Sequence, residues 1–218
     1  MSRSSKSQLA DPALQNLLAF LASRQPEPGE SIAHPDHSVN ALMCDDSLIL
    51  RQASVLIPVI RPVDDADARV VLTVRSKTLS RHAGQVSLPG GTREPGDKDA
   101  VATALREAEE EIGLKPSEVE VVGTLEDILI PTGFRVTPVV GLVRPGLTYI
   151  PCPIEVADIF EAPLSLLLDQ RSYLPATMIM KNLPRRILEL RYTKYRIWGA
   201  TAAILHHLAR EVDSFSRQ

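Results

Sequence analysis

The sequence predicts an α/β (α+β) fold, with a mixed β-sheet lying between helices. Short apolar runs of strand type come first, a strongly periodic helix follows at about residues 99–112, and further strands and a closing amphipathic helix complete the chain. Strands on both sides of a central helix bury all their apolar faces only if helices cover the sheet. A chain of 218 residues, 44% of them hydrophobic, is long enough for one compact domain with a sizeable core. Aromatic residues make up only 4%, so the core is expected to be aliphatic.

In chain order, residues 12–23 carry Leu14, Leu17, Leu18 and Leu21 at helical spacing. Residues 24–38 are rich in Pro, Glu, Gly and His and read as a linker, which suggests an N-terminal helix and linker over 1–45 and a main domain over 46–218. Residues 54–60 and 70–74 read as strands. The turn between them holds Asp64, Asp65 and Asp67, most simply solvated acids, so the two strands suggest a hairpin. Gly84, Pro89, Gly90, Gly91, Pro95 and Gly96 surround a short apolar piece, Val86 to Leu88. The helix that follows has Asp99 as an N-cap and Gly113 as a C-terminal stop. Residues 119–125 and 135–143 read as strands, 164–168 as a short helix, and Ile179, 186–190 and 196–198 as further strand. A closing amphipathic helix spans 200–212.

The formal net charge of −3 and the lack of a long basic run argue against a dedicated nucleic-acid binder. An anionic small molecule remains a fitting partner, because a few arginines and a metal reverse the field at one site. Cys44 and Cys152 stand apart, outside any Cys-x-x-Cys motif, and read as reduced thiols rather than a zinc site. The polar N-terminus is not followed by a signal-type apolar core, and no stretch suits a membrane span, so a cytoplasmic protein is expected.

The informative run is Arg106-Glu107-Ala108-Glu109-Glu110-Glu111-Ile112-Gly113-Leu114. At about 100° per residue, Val101, Leu105, Ala108 and Ile112 form an apolar stripe. Glu107, Glu110 and Glu111 gather on the other side, at spacing i, i+3, i+4, with Arg106 the nearby cation. Such a stripe is either a solvated acidic face or a site for a hard divalent cation such as Mg²⁺, which takes oxygen ligands and keeps several waters. The preceding Leu88-Pro89-Gly90-Gly91 favours the second alternative, since glycine lets backbone approach the acidic face closely.

Gly91 with the Arg106–Leu114 run resembles the signature of the Nudix hydrolases. The first acidic position falls on Asp97, eight residues before Arg106, and Glu94, Asp97 or Asp99 could each fill it. The longer loop suits the coenzyme A pyrophosphatase branch. So does the upstream segment, Leu72-Thr73-Val74-Arg75-Ser76, Leu79 and then His82-Ala83-Gly84-Gln85-Val86-Ser87-Leu88-Pro89-Gly90-Gly91, which departs at Ser80, followed by Arg81, and at Leu88. Downstream, Pro131 to Phe134, Thr137 to Gly141 and Ile197 to Thr201 also resemble that branch.

The resemblance implies a Nudix-type α/β/α sandwich and an Mg²⁺- or Mn²⁺-dependent pyrophosphohydrolase. Its products would be 3′,5′-ADP and 4′-phosphopantetheine or the acyl form. It makes Glu107 and Glu111 metal ligands, Glu110 a third ligand or the base, the Gly91 carbonyl part of the metal shell, and Arg106 an orienting cation or a simple surface ion pair. Arg75, Arg81, His82 and Arg93 become candidates for the 3′-phosphate of coenzyme A, Gly90 and Gly91 further substrate-binding positions, and Phe134 or Tyr149 candidates for stacking on adenine. Each of these also has a packing or solvated alternative, and His206 and His207 read as surface or packing residues. The family also suggests a homodimer. Two rivals remain: a Nudix hydrolase of another nucleoside diphosphate derivative such as ADP-ribose or NADH, and a non-catalytic binding module of the same fold.

Overall fold

The computed structural model describes residues 11–24, 31–32, 50–64, 66–79, 82–130, 133–180 and 183–218. Arg81, Cys44, Pro131, Thr132 and most of the 24–38 linker lie outside them. Helix α1 (Pro12–Ser23) starts at Asp11, whose carboxylate accepts the Ala13 and Leu14 N–H groups, with Pro12 supplying a helix-ready φ. Asp11 also accepts from Ala68 N–H, which ties the helix start to the main domain. Leu14, Leu17, Phe20 and Leu21 are buried in the same core as the closing helix, so α1 is packed into the fold and not merely appended to it.

The strands are β1 (Ser31–Ile32), β2 (Arg51–Ile60), β3 (Arg69–Arg75), β4 (Val86–Ser87), β5 (Gly90–Thr92), β6 (Val119–Thr124), β7 (Asp127–Ile130), β8 (Phe134–Val143) and β9 (Val156–Pro163). They form one mixed sheet, ordered β1-β7-β8-β2-β3-β4, with β5 pairing β2, β6 pairing β8 and β9 pairing β3. Its spine is the parallel pair β2–β8, in register from Arg51 opposite Phe134 to Ile60 opposite Val143. β10 (Leu174–Met180), β11 (Leu183–Tyr192) and β12 (Tyr195–Trp198) make a second, antiparallel sheet.

Side chains of period two sort to the two faces of the large sheet. Ala53, Ile57, Val59, Val70, Leu72, Val136, Val140 and Leu142 join α1 and the C-terminal helix in one cluster. Leu56, Val71, Val139 and Val143 meet the central helix α2 (Ala100–Ile112) in the other. α3 (Leu164–Leu167) and α4 (Gly199–Ser216) complete the chain. The result is a mixed α+β fold with the sheet between helices, as the strand–helix order predicts. Among the described residues no helix is long and apolar enough to cross a membrane.

The expected hairpin of β2 and β3 is real but short. The strands pair only at Val59–Val70 and Ile60–Arg69 and then part. Beside the other end of β2, β5 takes the neighbouring place, with Ala53, Ser54 and Val55 opposite Thr92, Gly91 and Gly90. β3 turns instead to β4 and β9. This parting carries the glycine pair to the surface of α2.

Candidate active site

α2 begins at Asp99, which accepts the Ala102 N–H at 2.8 Å, and ends at Gly113 in the left-handed region, φ 69°. One face, Ala104, Ala108 and Ile112, is buried against the sheet. On the other, the three glutamates differ in depth: the side chain of Glu110 is 59% exposed, that of Glu107 14% and that of Glu111 3%. At Glu111 the stripe is therefore not a solvated acidic face. β5 closes over this part of α2, and the end of β3 brings Arg75 beside it.

The two glycines make this closure sterically feasible for different reasons. A Cβ on Gly90 would lie 2.3 Å from the Ser54 carbonyl oxygen and 2.6 Å from Val55 Cα, so β5 reaches β2 only without a side chain there. A Cβ on Gly91 would lie 2.4 Å from Glu107 Oε1, so its backbone borders the carboxylate directly. The Gly90 N–H donates to Glu111 Oε2 at 3.2 Å, and Arg75 Nη1 stands 3.6 Å from Oε1. Burial pushes the Glu111 carboxyl up to about 8; Arg75 and the Gly90 N–H pull against it, while Glu107 and Glu155 add to it. Burial also raises Glu107, with Arg106 opposing.

Arg106 is bonded throughout. Its Nε and Nη2 meet both oxygens of Asp97 at 3.1 and 3.0 Å, and Nη2 also donates to the Thr92 carbonyl at 3.0 Å. Nη1 lies 3.0 Å from Glu110 Oε2 and 3.1 Å from Glu107 Oε1. Asp97 further accepts the Glu94 N–H at 2.9 Å and the Thr103 hydroxyl at 3.0 Å, and Arg106 above all holds its carboxyl below the usual range. Of the three candidates for the first acidic position, Asp97 is thus spent on Arg106, Asp99 caps α2, and Glu94 is exposed.

The other candidates separate. Arg93 donates to the Asp97 and Lys98 carbonyls and so belongs to the loop before α2. His82 is exposed, with φ 58° and Nδ1 3.0 Å from Gln85 Oε1. Phe134 lies beneath the Arg51 guanidinium, 4.1 Å from its ring centre, and Tyr149 packs on the α2-side cluster. His207 contacts Glu126 at 2.9 Å and His206 abuts Tyr173, both away from α2.

The sequence reading missed Glu155, whose charge reaches both Glu107 and Glu111. Its segment is strapped to α2 by the Cys152 N–H, which donates to the Glu111 carbonyl at 2.8 Å, and to β3 by the Ser76 N–H, which donates to the Glu155 carbonyl at 2.7 Å. No local pattern in the sequence marks that proximity.

Glu107 and Glu111 are oxygen donors of the kind a hard divalent cation takes, bordered by a backbone cradle that any Cβ at Gly91 would fill. Among the described residues no three acidic, His or Cys side chains converge into a closed cage. A cation here would draw its remaining ligands from backbone, water and substrate, which suits Mg²⁺ or Mn²⁺ better than a structural zinc.

Comparison with known proteins agrees with this chemistry. The NUDIX domain model matches residues 50–153. The chain is 45% identical over 164 residues to the uncharacterized Nudix hydrolase NudL of Photorhabdus laumondii, covering 75% of this chain and 86% of the relative. It is 42% identical over 167 residues to that of Escherichia coli, covering 77% and 85%. In fold it is similar to the Nudix hydrolase RenU of M. smegmatis, with TM-score 0.52 and 22% identity over 75% of this chain and 86% of the other. The chain therefore belongs to the Nudix hydrolase family, enzymes that act on phosphoric anhydride bonds.

Proposed function

We propose that the protein is a coenzyme A diphosphatase, cleaving coenzyme A or acyl-CoA to 3′,5′-ADP and 4′-phosphopantetheine or its acyl form. The observation that carries this is the segment from Leu72 to Gly91. It resembles the coenzyme A branch in sequence, spans β3, β4 and β5, and ends against Glu107 and Glu111. Nudix hydrolases use divalent metal ions, and here Mg²⁺ or Mn²⁺ on Glu107, Glu111 and the Gly91 carbonyl would neutralise the diphosphate.

The chain's own residues supply the rest. Water adds to one phosphorus, the bridging P–O bond breaks, and the proton of the water needs an acceptor. Glu110 is exposed, and Arg106 holds only its Oε2. Its Oε1 is our assignment for that acceptor, with a third metal contact as the alternative. Arg106 orients Glu107 and Glu110 from its anchor on Asp97. Arg75 faces Glu111, beside the diphosphate, which leaves Arg81 the first candidate for the 3′-phosphate. His82 remains its neighbour in sequence, and Gly90 lines the approach. A homodimer and a cytoplasmic location belong to the same proposal, and sedimentation tests the former.

The experiment is metal-dependent turnover across coenzyme A, dephospho-coenzyme A, ADP-ribose and NADH. A charge-assisted contact to the 3′-phosphate is worth about 1.5–3 kcal/mol, so coenzyme A should exceed dephospho-coenzyme A in kcat/KM by about tenfold to a hundredfold. Arg81→Gln should erase that preference. Faster turnover of ADP-ribose or NADH would overturn the coenzyme A assignment. Absence of turnover on all four would favour a binding module, against which the retained Glu107, Glu110 and Glu111 argue.

A further inference from the structure

Arg75 ends β3 where the pairing with β9 slips register. Its backbone is pinned on both sides: its N–H donates to the Gln85 carbonyl at 2.9 Å and its carbonyl accepts from Gly84 at 3.0 Å. Its guanidinium is not pinned. Nε is buried without a hydrogen-bond partner, and the closest approach to Glu111 is 3.6 Å, beyond the 2.7–2.9 Å of a charge-assisted bond. Arg106, equally half-buried, uses its planar fork fully. Arg75 is thus drawn to Glu111 by charge without a hydrogen bond and keeps its Nε N–H in reserve.

We propose that Arg75 competes with the divalent cation for Glu111 and turns to the substrate's diphosphate once the cation takes that carboxylate. This rests on Glu111 being a metal ligand, as argued above. A cation held by Glu111 would sit close to the guanidinium, and like charges at such range repel by an amount that matters even at an effective dielectric constant of about 20. The displaced fork matches phosphate oxygens in geometry and charge. Arg75 therefore weakens metal binding to the free enzyme and strengthens substrate binding to the metal-loaded one. Removing its charge favours the metal whatever the proton on Glu111 does, because the ion brings two charges where a proton brings one.

The test is Mn²⁺ affinity of the full chain, measured with the metal alone by electron paramagnetic resonance, followed by steady-state kinetics on coenzyme A at saturating Mn²⁺. Arg75→Gln should bind Mn²⁺ about tenfold more tightly and raise KM about tenfold, and Arg75→Lys, which keeps the charge, should stay near wild type in Mn²⁺ affinity. If Gln unfolds the protein, Arg75→Met keeps the aliphatic stem and carries the same measurement. A folded neutral variant that binds Mn²⁺ no more tightly than wild type overturns the competition, and an unchanged KM overturns the transfer to phosphate. Glu111→Gln separates the levels. If it leaves Mn²⁺ affinity intact, Glu111 is no ligand and the competition falls with it, while the coenzyme A reading still stands or falls on the turnover comparison. If it abolishes binding while Arg75→Gln fails to tighten it, only the competition falls.

Discussion

Two arginine–carboxylate pairs lie on one helix surface and are built in opposite ways. Arg106 and Asp97 are bidentate at 3.0–3.1 Å, cross-linked to Thr92, Thr103 and Glu94, and Asp97 is held well inside its charged form. Arg75 and Glu111 stand 3.6 Å apart, one guanidinium nitrogen lacks a partner, and Glu111 is pushed toward its protonated form. The first pair closes the loop before α2. The second leaves a buried carboxylate short of positive charge. A satisfied network specifies structure, while an under-satisfied one is tolerated where a ligand completes it.

The largest expected effect comes from the second pair. Glu111→Gln keeps the shape and removes the charge, so turnover should fall about a thousandfold while thermal melting stays at or above wild type. Near-wild-type turnover at low Mg²⁺ would erase the distinction between the pairs, and an unfolded variant would make Glu111 structural. The first pair should respond in stability. Asp97→Ala leaves Arg106 half-buried without its main partner and should cost about 3 kcal/mol in urea unfolding. A cost below about 0.5 kcal/mol would show that the loop does not depend on it.

The glycines sharpen the same contrast. Gly91→Ala puts a methyl onto Glu107 and should lower turnover about a hundredfold with little change in melting. Gly90→Ala meets the β2 backbone and should cost about 1–3 kcal/mol of stability. Equal stability losses from the two would mean that Gly91 serves packing rather than the site.

The smallest effect is on pH dependence without divalent metal. Glu111 is raised from 4.5 to about 8, so the unfolded chain loses this proton first and stability falls as pH rises across that window. Asp97 has the opposite sign: its stabilisation is present above the usual carboxylate range and is lost as pH falls below it. Glu111→Gln should flatten the neutral-pH decline in Tm, about 5 °C, and leave the acid limb unchanged. A wild-type Tm that is flat from pH 5 to 8 would contradict the burial of Glu111.

By itself the sequence determined what local periodicity and local chemistry encode. α2 with its Asp99 and Gly113 ends, the angular grouping of Glu107, Glu110 and Glu111, and α1 are all set by residues within a turn or two of each other. β7 and β9 escaped notice because their polar positions, such as Asp127, Asp158 and Glu161, break the apolar pattern; Asp127 and Glu161 are satisfied by Arg135 and Arg69 from elsewhere in the sheet. Only the tertiary structure decided that Glu111 is buried and Glu110 exposed, that Arg75 faces Glu111, that Asp97 is consumed by Arg106, and that Glu155 adds its charge to the site. The physical reason is that helix angle is a property of neighbours in the chain. Desolvation and Coulomb energy are instead sums over whatever remote segments, here β3, β5 and the start of β9, fold down beside a group.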